Sequence, residues 1–268
     1  MQELGSGKTA ERPVRLGGAL VTLVEPHRGH EVAYNRWYER DHFYAGCAIG
    51  AWTLAGARFV ATAELKALRY PAHSPVAPDP EAGSFLAIYW VLAGKFGEWM
   101  QWGSEQVKWL HENDRMFPHR DHVHTLMYKF RTEYEAPEGV PVELALDHRS
   151  PYLVLVIGEP AEGRTLDEVD AWFRDQPLLG AVGAEMTAVP LPGDAAPGVR
   201  ADSAANRFCQ LWFVDDDLPA TWASGDGSFA DLGERFAAAG LGELVLVAPF
   251  RATVPGTDTY TDQLWNRS

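Results

Sequence analysis

The order of the predicted elements constrains the fold of this chain more than any other feature. Hydrophobic periodicity predicts a strand, helix, strand, strand, helix and strand at residues 16–24, 31–43, 51–65, 84–92, 94–113 and 122–134. A turn-rich linker is expected at 135–150. The same order then returns at 152–157, 165–175, 181–189, 207–214, 228–239 and 243–250. Two such units in tandem are typical of a ferredoxin-like βαββαβ repeat used twice.

A short sequence identity supports the repeat. The segment Asn35-Arg36-Trp37-Tyr38 occupies the place that Asp170-Ala171-Trp172-Phe173 occupies in the second half. One unit of this kind has an antiparallel sheet with helices on a single face, so its other face needs a cover. We therefore predict an α+β fold in which two fused ferredoxin-like repeats pack sheet to sheet as an intramolecular α+β barrel.

The predicted division has three parts. Residues 14–135 form a first repeat that carries the candidate site, and residues 150–250 form a second repeat that is mainly structural. The segment 251–268 contains Tyr260, Leu264 and Trp265 and is expected to wrap back across the body. Residues 1–13 are predicted to be a flexible leader, and their Gly-Ser-Gly-Lys-Thr lacks the first glycine and the preceding strand of a phosphate-binding loop.

Charge and cysteine content exclude several classes of function. The formal net charge of −14 argues against nucleic acid and against an anionic membrane surface, since both need a basic face. Two cysteines rule out a disulfide framework and favour a free-thiol cytosolic protein. With 46% hydrophobic residues and 10 tryptophans, the chain can build a large core.

Residues 29–60 contain a recognisable motif. An aromatic pair, Trp37-Tyr38, precedes Asp41-His42, a glycine-rich segment and an extended Ala57-Arg58-Phe59. This pattern resembles the EthD-like group of dimeric α+β barrel proteins. It departs from the group where Phe43-Tyr44 replaces the usual proline and leucine, and where the second half has Gln176-Pro177 in place of the acid–histidine pair.

The resemblance implies a broad range of chemistries. Relatives of this fold include cofactor-free monooxygenases acting on polycyclic phenols, polyketide cyclases, lactone isomerases and haem-binding enzymes. A fold shared by so many activities does not indicate which of them this chain has, so the function must be inferred from the residues of the site.

His42, Tyr38 and Asp41 form the first candidate constellation. An imidazole exchanges protons near neutral pH, and Tyr38 lies four residues before it on the same helix face. We predict that His42 transfers a proton, that Tyr38 orients it and that Asp41 tunes it. The alternative is a histidine that interacts favourably with the C-terminal dipole of its helix.

His122 and His124 form the second candidate constellation. In a regular strand they share one face, so they are predicted to be a second polar wall of the pocket. A zinc site would need a third ligand, for which His119 or a carboxylate is available. Satisfied structural histidines are the remaining interpretation.

Two weaker signals complete the inventory. The aromatic residues of the helix at 94–113, Trp102 and Trp109 on one stripe, are typical of core but could form a stacking wall for an aromatic ligand. Cys47 follows the first helix, and a nucleophilic role would require a lowered thiol pKa.

The function predicted from the sequence is a cofactor-free isomerase, cyclase or lyase acting by proton transfer on a hydrophobic aromatic or polyketide-like small molecule. The alternatives are a non-catalytic binder, a cofactor-free monooxygenase, and a metal- or haem-dependent enzyme that uses the strand histidines. The sequence leaves open whether the protein forms a homo-oligomer.

Overall fold

The computed structural model describes residues 14–134, 140–176, 182–189, 207–225 and 228–266. The predicted leader at 1–13 lies outside these residues.

Eight strands form one closed barrel. They are β1 (Leu16–Pro26), β2 (Thr53–Val60), β3 (Phe85–Leu92), β4 (Arg120–Tyr134), β5 (Tyr152–Pro160), β6 (Val182–Val189), β7 (Phe208–Val214) and β8 (Gly242–Ala252). Their order around the barrel is β1-β3-β2-β8-β5-β7-β6-β4, and every pairing is antiparallel. Each half thus contributes four neighbouring strands, and the predicted intramolecular α+β barrel is confirmed.

Short helices connect the strands on the outside. They are α1 (Glu31–Trp37), α2 (Ala63–Lys66), α3 (Phe96–Glu112), α4 (Ala145–His148), α5 (Leu166–Arg174), α6 (Leu218–Thr221) and α7 (Leu232–Ala238). None of the helices in the described ranges is both long and apolar enough to cross a membrane.

The interior of the barrel is a packed apolar core. Alternate residues of every strand point inward, and large side chains such as Trp90, Tyr128 and Phe213 meet there without contact with solvent. The opposite faces of the strands pack against the helices in two further clusters, one for each half. The bare sheet faces therefore cover each other, as predicted from the repeat.

The two seams between the halves differ. At one seam β4 pairs with β6 from Met127 to Tyr134. At the other, β2 pairs with β8 only through Phe59 with Ala252 and Val60 with Arg251. Among the described strands, none pairs with the first residues of β2 on that side.

Two predicted elements need correction near the motif. The helix expected at 31–43 is α-helical only to Trp37 and then continues as a π-helix, Tyr38–Ala48, straight through Gly46. A side chain at Gly46 would lie 2.8 Å from Cε1 of His42, so this glycine serves close packing instead of ending the helix. The strand expected at 51–65 ends at Val60.

The linker expected at 135–150 is also more ordered than predicted. Its described part folds into a short 3-10 turn, Val142–Leu144, followed by α4. Val142, Ala145 and Leu146 join the barrel core, and Trp90 Nε1 donates to the carbonyl of Val142 at 3.0 Å. This segment fills space beside the incomplete seam, because α4 contacts β2.

The C-terminal segment lies across α1 and β2. Tyr260 and Leu264 are fully buried in the helix-side cluster of the first half. Asp258 accepts hydrogen bonds from Asn35 at 3.0 Å and Arg36 at 2.9 Å, and Lys66 Nζ donates to the carbonyl of Leu264 at 2.9 Å. The segment is thus held by both polar and apolar contacts.

Replacing Leu264 by alanine tests whether this segment contributes to the stability of the barrel. A fully buried leucine that loses its side chain leaves a cavity, so we expect a loss of about 2–4 kcal/mol in the free energy of unfolding, measured by chemical denaturation. Val32→Ala, on the exposed face of α1, is the control and should change stability little. Equal effects of the two substitutions would show that the segment does not stabilise the barrel.

Candidate functional site

His42 lies within the π-helix, enclosed between an indole and a glycine. Its ring stacks on Trp37 with 4.5 Å between centroids and an interplanar angle of 18°. Gly46 covers the opposite face of the ring. Nδ1 of His42 is buried and has no hydrogen-bond partner within the described parts of the chain. The imidazole is therefore held rigidly by shape and makes no polar contact through this nitrogen.

The surroundings of His42 keep it neutral. Burial is the largest of the causes that together lower its pKa to about 3. The positive charge of Arg120 and the nearby His122 contribute to the decrease, and Asp41 opposes it. A base is most effective when its pKa lies near the working pH. In this arrangement His42 is a weak base at neutral pH.

Tyr38 and Asp41 have other partners. The hydroxyl of Tyr38 lies 3.0 Å from the hydroxyl of Tyr89, and the ring of Tyr38 meets His42 edge to face, with centroids 5.1 Å apart. Burial raises the pKa of Tyr38 far above its ordinary value, so its hydroxyl keeps its proton. The carboxylate of Asp41 forms an ion pair with Arg115. The structure brings the three predicted residues together, but their hydrogen bonds lead away from the imidazole.

The prediction that His122 and His124 share one face is wrong. In the β1–β4 register, Leu23 pairs with His124 and Val24 pairs with His122, so Val123 is an extra residue in a β-bulge. The bulge turns His124 into the barrel interior with Leu23, whereas His122 faces the helices with Val24.

The two histidines consequently have different environments. His124 Nε2 lies 2.7 Å from the hydroxyl of Tyr128 inside the core. His122 Nδ1 lies 2.9 Å from Thr125 Oγ1, and burial, reinforced by Arg120, lowers its pKa to about 4. His122 is thus near His42 on the helix side, and His124 is not.

The third histidine of the proposed metal site also lies elsewhere. His119 is exposed and stacks on His30 with 3.8 Å between centroids. Among the residues that the structure describes, no group of three histidine, cysteine or carboxylate side chains has the geometry to hold a metal ion.

Cys47 and the tryptophans of α3 lie in environments that are typical of structural residues. Burial raises the pKa of Cys47 to about 12, the opposite of what a nucleophilic thiolate requires. In α3, Trp99 is buried against Thr53, to whose hydroxyl its Nε1 donates at 2.8 Å, and Trp109 is largely exposed.

A cavity of about 670 Å³ opens at the incomplete seam between β2 and β8. Its walls come from the π-helix, β2, α4 and the segment after β8. Apolar lining comes from Phe43, Tyr44, Phe59, Leu146 and Val254. A volume of this size accommodates a drug-sized ligand. His42 does not line it, although the next two residues of the chain do.

A buried ion pair forms one polar part of this lining. Nη1 of Arg58 lies 3.4 Å from Oε1 of Glu39, and the side chains are 4% and 10% exposed. Arg58 also donates to Asn35 Oδ1 at 3.0 Å and stacks over Tyr38, with Cζ 4.4 Å from the ring centroid. Its Nη2 has no partner in the described ranges. Such a pair is stable only with good geometry, because both charges lose their hydration.

The C-terminal segment completes the environment of Glu39. The amide of Gly256 donates to Oε2 at 2.9 Å, and the hydroxyl of Tyr260 donates to Oε1 at 3.2 Å. Glu39 is therefore a carboxylate with fixed orientation at the edge of a cavity. Sequence reasoning missed Glu39, because Gly256 and Tyr260 lie 217 and 221 positions away from it. The signal that could have found it is its nearer partner Arg58, the arginine of the motif.

The second half buries a carboxylate of its own. Glu185 on β6 accepts from Tyr134 at 2.9 Å, Gln210 at 2.8 Å and Arg131 at 3.2 Å. Burial raises the pKa of Glu185. Ionisable groups thus lie between sheet and helices in both halves, whereas the sequence analysis located them only in the first. The division of the chain into a functional and a structural repeat stays a prediction.

Comparison with known proteins identifies the fold. No family model matches the chain, and no curated protein matches its sequence. Among solved structures, a protein provisionally named a chlorite dismutase, TA0507, is 12% identical with a TM-score of 0.53, covering 90% of this chain and 97% of the other. An anthrone oxidase-like protein is 8% identical with a TM-score of 0.52, covering 90% and 95%.

At such low identity these two structures show the fold alone. The resemblance to the dimeric α+β barrel superfamily, and within it to the EthD-like group, stays a prediction. The chain has an α+β barrel fold that closes within one molecule and that it shares with these two structures.

Proposed function

We propose that the protein is an enzyme that transfers protons on a hydrophobic aromatic or polyketide-like small molecule held in the seam cavity. The observation that supports this most is the meeting of apolar walls with the buried Glu39–Arg58 pair in one cavity. Apolar surface provides binding energy, and a few fixed polar groups provide orientation and chemistry.

Glu39 is the proton-transfer group in this proposal. Its carboxylate takes a proton from the carbon next to a substrate carbonyl, and the enolate that forms is stabilised by the guanidinium of Arg58. The proton is returned to the same or another carbon, so the reaction is balanced without a further reactant. An isomerase, cyclase or lyase would share this step.

His42, the base predicted from the sequence, is the second candidate and is to be tested beside Glu39. Its ring is closed between Trp37 and Gly46, and its low pKa makes it a weak proton acceptor. Tyr38 and Asp41 would support His42 only indirectly, since they bond to Tyr89 and Arg115.

The alternative of a metal- or haem-dependent enzyme has less support. It relied on His122 and His124 acting together, and the bulge in β4 separates them. The described lining of the seam cavity contains no histidine, cysteine or methionine, so the exposed Tyr44 is the one side chain there of a type that ligates haem iron. A non-catalytic binder remains the alternative that uses the same cavity.

Proton exchange on a simple ketone distinguishes the two candidate bases. We expect the protein to accelerate exchange of the α protons of 2-tetralone in D₂O, followed by NMR. Glu39→Gln should reduce the enzymatic rate by about 10²-fold or more, and His42→Gln should reduce it by much less.

A loss confined to His42→Gln would move the base to the imidazole. Absence of catalysed exchange by the intact protein, together with binding of 2-tetralone, would favour the non-catalytic binder.

Blocking the cavity tests its role in binding. Val254 is 53% exposed and lines the cavity, so Val254→Trp should place an indole in its mouth without disturbing the core. We expect the Kd for 2-naphthol, measured by calorimetry, to rise about tenfold or more. Val32→Trp, on α1 away from the cavity, is the matched control. Unchanged binding by Val254→Trp would place the ligand elsewhere.

The buried histidines predict how stability depends on pH. His42 and His122 have folded-state pKa values of about 3 and 4, below the ordinary 6.5, so the unfolded chain binds protons first. Stability should therefore be fully present above pH 6.5 and fall as the pH decreases towards 4, by up to about 1.4 kcal/mol per pH unit for each histidine. In urea denaturation, the free energy of unfolding of His42→Gln and of His122→Gln should decrease less below pH 6.5 than that of the intact protein. At pH 7.5 this difference in pH dependence should be absent. An unchanged dependence would mean that neither ring is buried in its neutral form.

A further inference from the structure

Arg149 adopts a backbone conformation that its residue type disfavours. It ends α4 with φ of 63° and ψ of 43°, in the left-handed region. Glycine usually occupies this position after a helix, because a Cβ there clashes with the following backbone. Arg149 therefore adopts this conformation at a cost in conformational free energy.

Arg149 also lies at the mouth of the seam cavity. It is exposed and belongs to the lining together with Leu146 and Ser150, both of which are buried. The short helix before it is anchored, since Leu146 packs in the barrel core and His148 Nε2 lies 3.0 Å from Asp215 Oδ2. The guanidinium forms no ion pair with any residue of the described chain. Its backbone is thus fixed while its charge remains available.

The other non-glycine residues with positive φ have local explanations. Trp52, with φ of 77°, places its ring 4.5 Å from Nζ of Lys95 in a cation–π contact. Asp114 is of a residue type that tolerates this region. In the described ranges Arg149 is the one that combines an unfavourable conformation with a place at a cavity. Such conformations concentrate at functional sites.

We propose that Arg149 is a specificity-determining residue that recognises a carboxylate on the substrate, so that the cavity takes aromatic carboxylates in preference to neutral aromatic molecules. This inference rests on the proposed function of the cavity. Glu39 is neutralised by Arg58 deeper in the lining, so it does not cancel the charge at the mouth. Asp147 lines the same mouth and opposes binding of an anion. A guanidinium forms a bidentate pair with a carboxylate, which adds geometric selection to charge.

Two probes of equal shape test the proposal. Calorimetry compares binding of 2-naphthoate with binding of the neutral 2-naphthamide. We expect the intact protein to prefer 2-naphthoate by about tenfold, and this preference to decrease as salt is added. Arg149→Gln should abolish the preference while keeping the affinity for 2-naphthamide. Arg149→Lys should retain part of it, and Asp147→Asn should increase it.

Arg149→Gly separates function from structure. Glycine relieves the left-handed strain, so this variant should have an equal or higher Tm while losing the preference for 2-naphthoate. An equal preference in the intact protein and in Arg149→Gln would overturn the inference and leave the cavity function standing. Failure of both probes to bind the intact protein would overturn the proposed function along with it.

Discussion

The need of each four-stranded sheet to cover its bare face determines the rest of this structure. A sheet with helices on one side exposes apolar residues on the other, and here the two sheets of one chain satisfy each other by closing into a barrel. The interior is therefore filled with side chains such as Trp90, Tyr128 and Phe213. The barrel centre is occupied, and the described cavity lies outside it, where the closure is incomplete.

The incomplete seam supplies that space. β2 and β8 pair at two positions, and α4 and the segment after β8 occupy the neighbouring region without filling it. The same segment reaches back to orient Glu39 through Gly256 and Tyr260. A part of the chain remote in sequence thus forms both a wall of the cavity and the surroundings of its carboxylate.

The fold was predictable from the sequence because it depends on patterns that are local. Each strand and helix has its own periodicity, and the repeated order of elements then implies mutual covering of the sheets. The π-helix was not predictable, since Gly46 is a normal signal for a helix end and its packing against His42 appears only in three dimensions. The bulge at Val123 was hidden for a similar reason, because an alternating sequence gives no sign of one extra residue. The aromatic pair and the acid–histidine pair lie on the same helix as Glu39. The place of Glu39 and Arg149 in the cavity lining, however, depends on contacts between distant segments.

Fusion of the two halves has a consequence for stoichiometry. A barrel made by two identical chains related by a twofold axis must have two identical seams, so any opening at one occurs at the other. In a single chain the seams are free to differ: here β4 and β6 seal one along Met127 to Tyr134, while β2 and β8 leave the other open. A single chain with two such halves can thereby form an asymmetric molecule, and in the described residues the cavity lies at the β2–β8 seam.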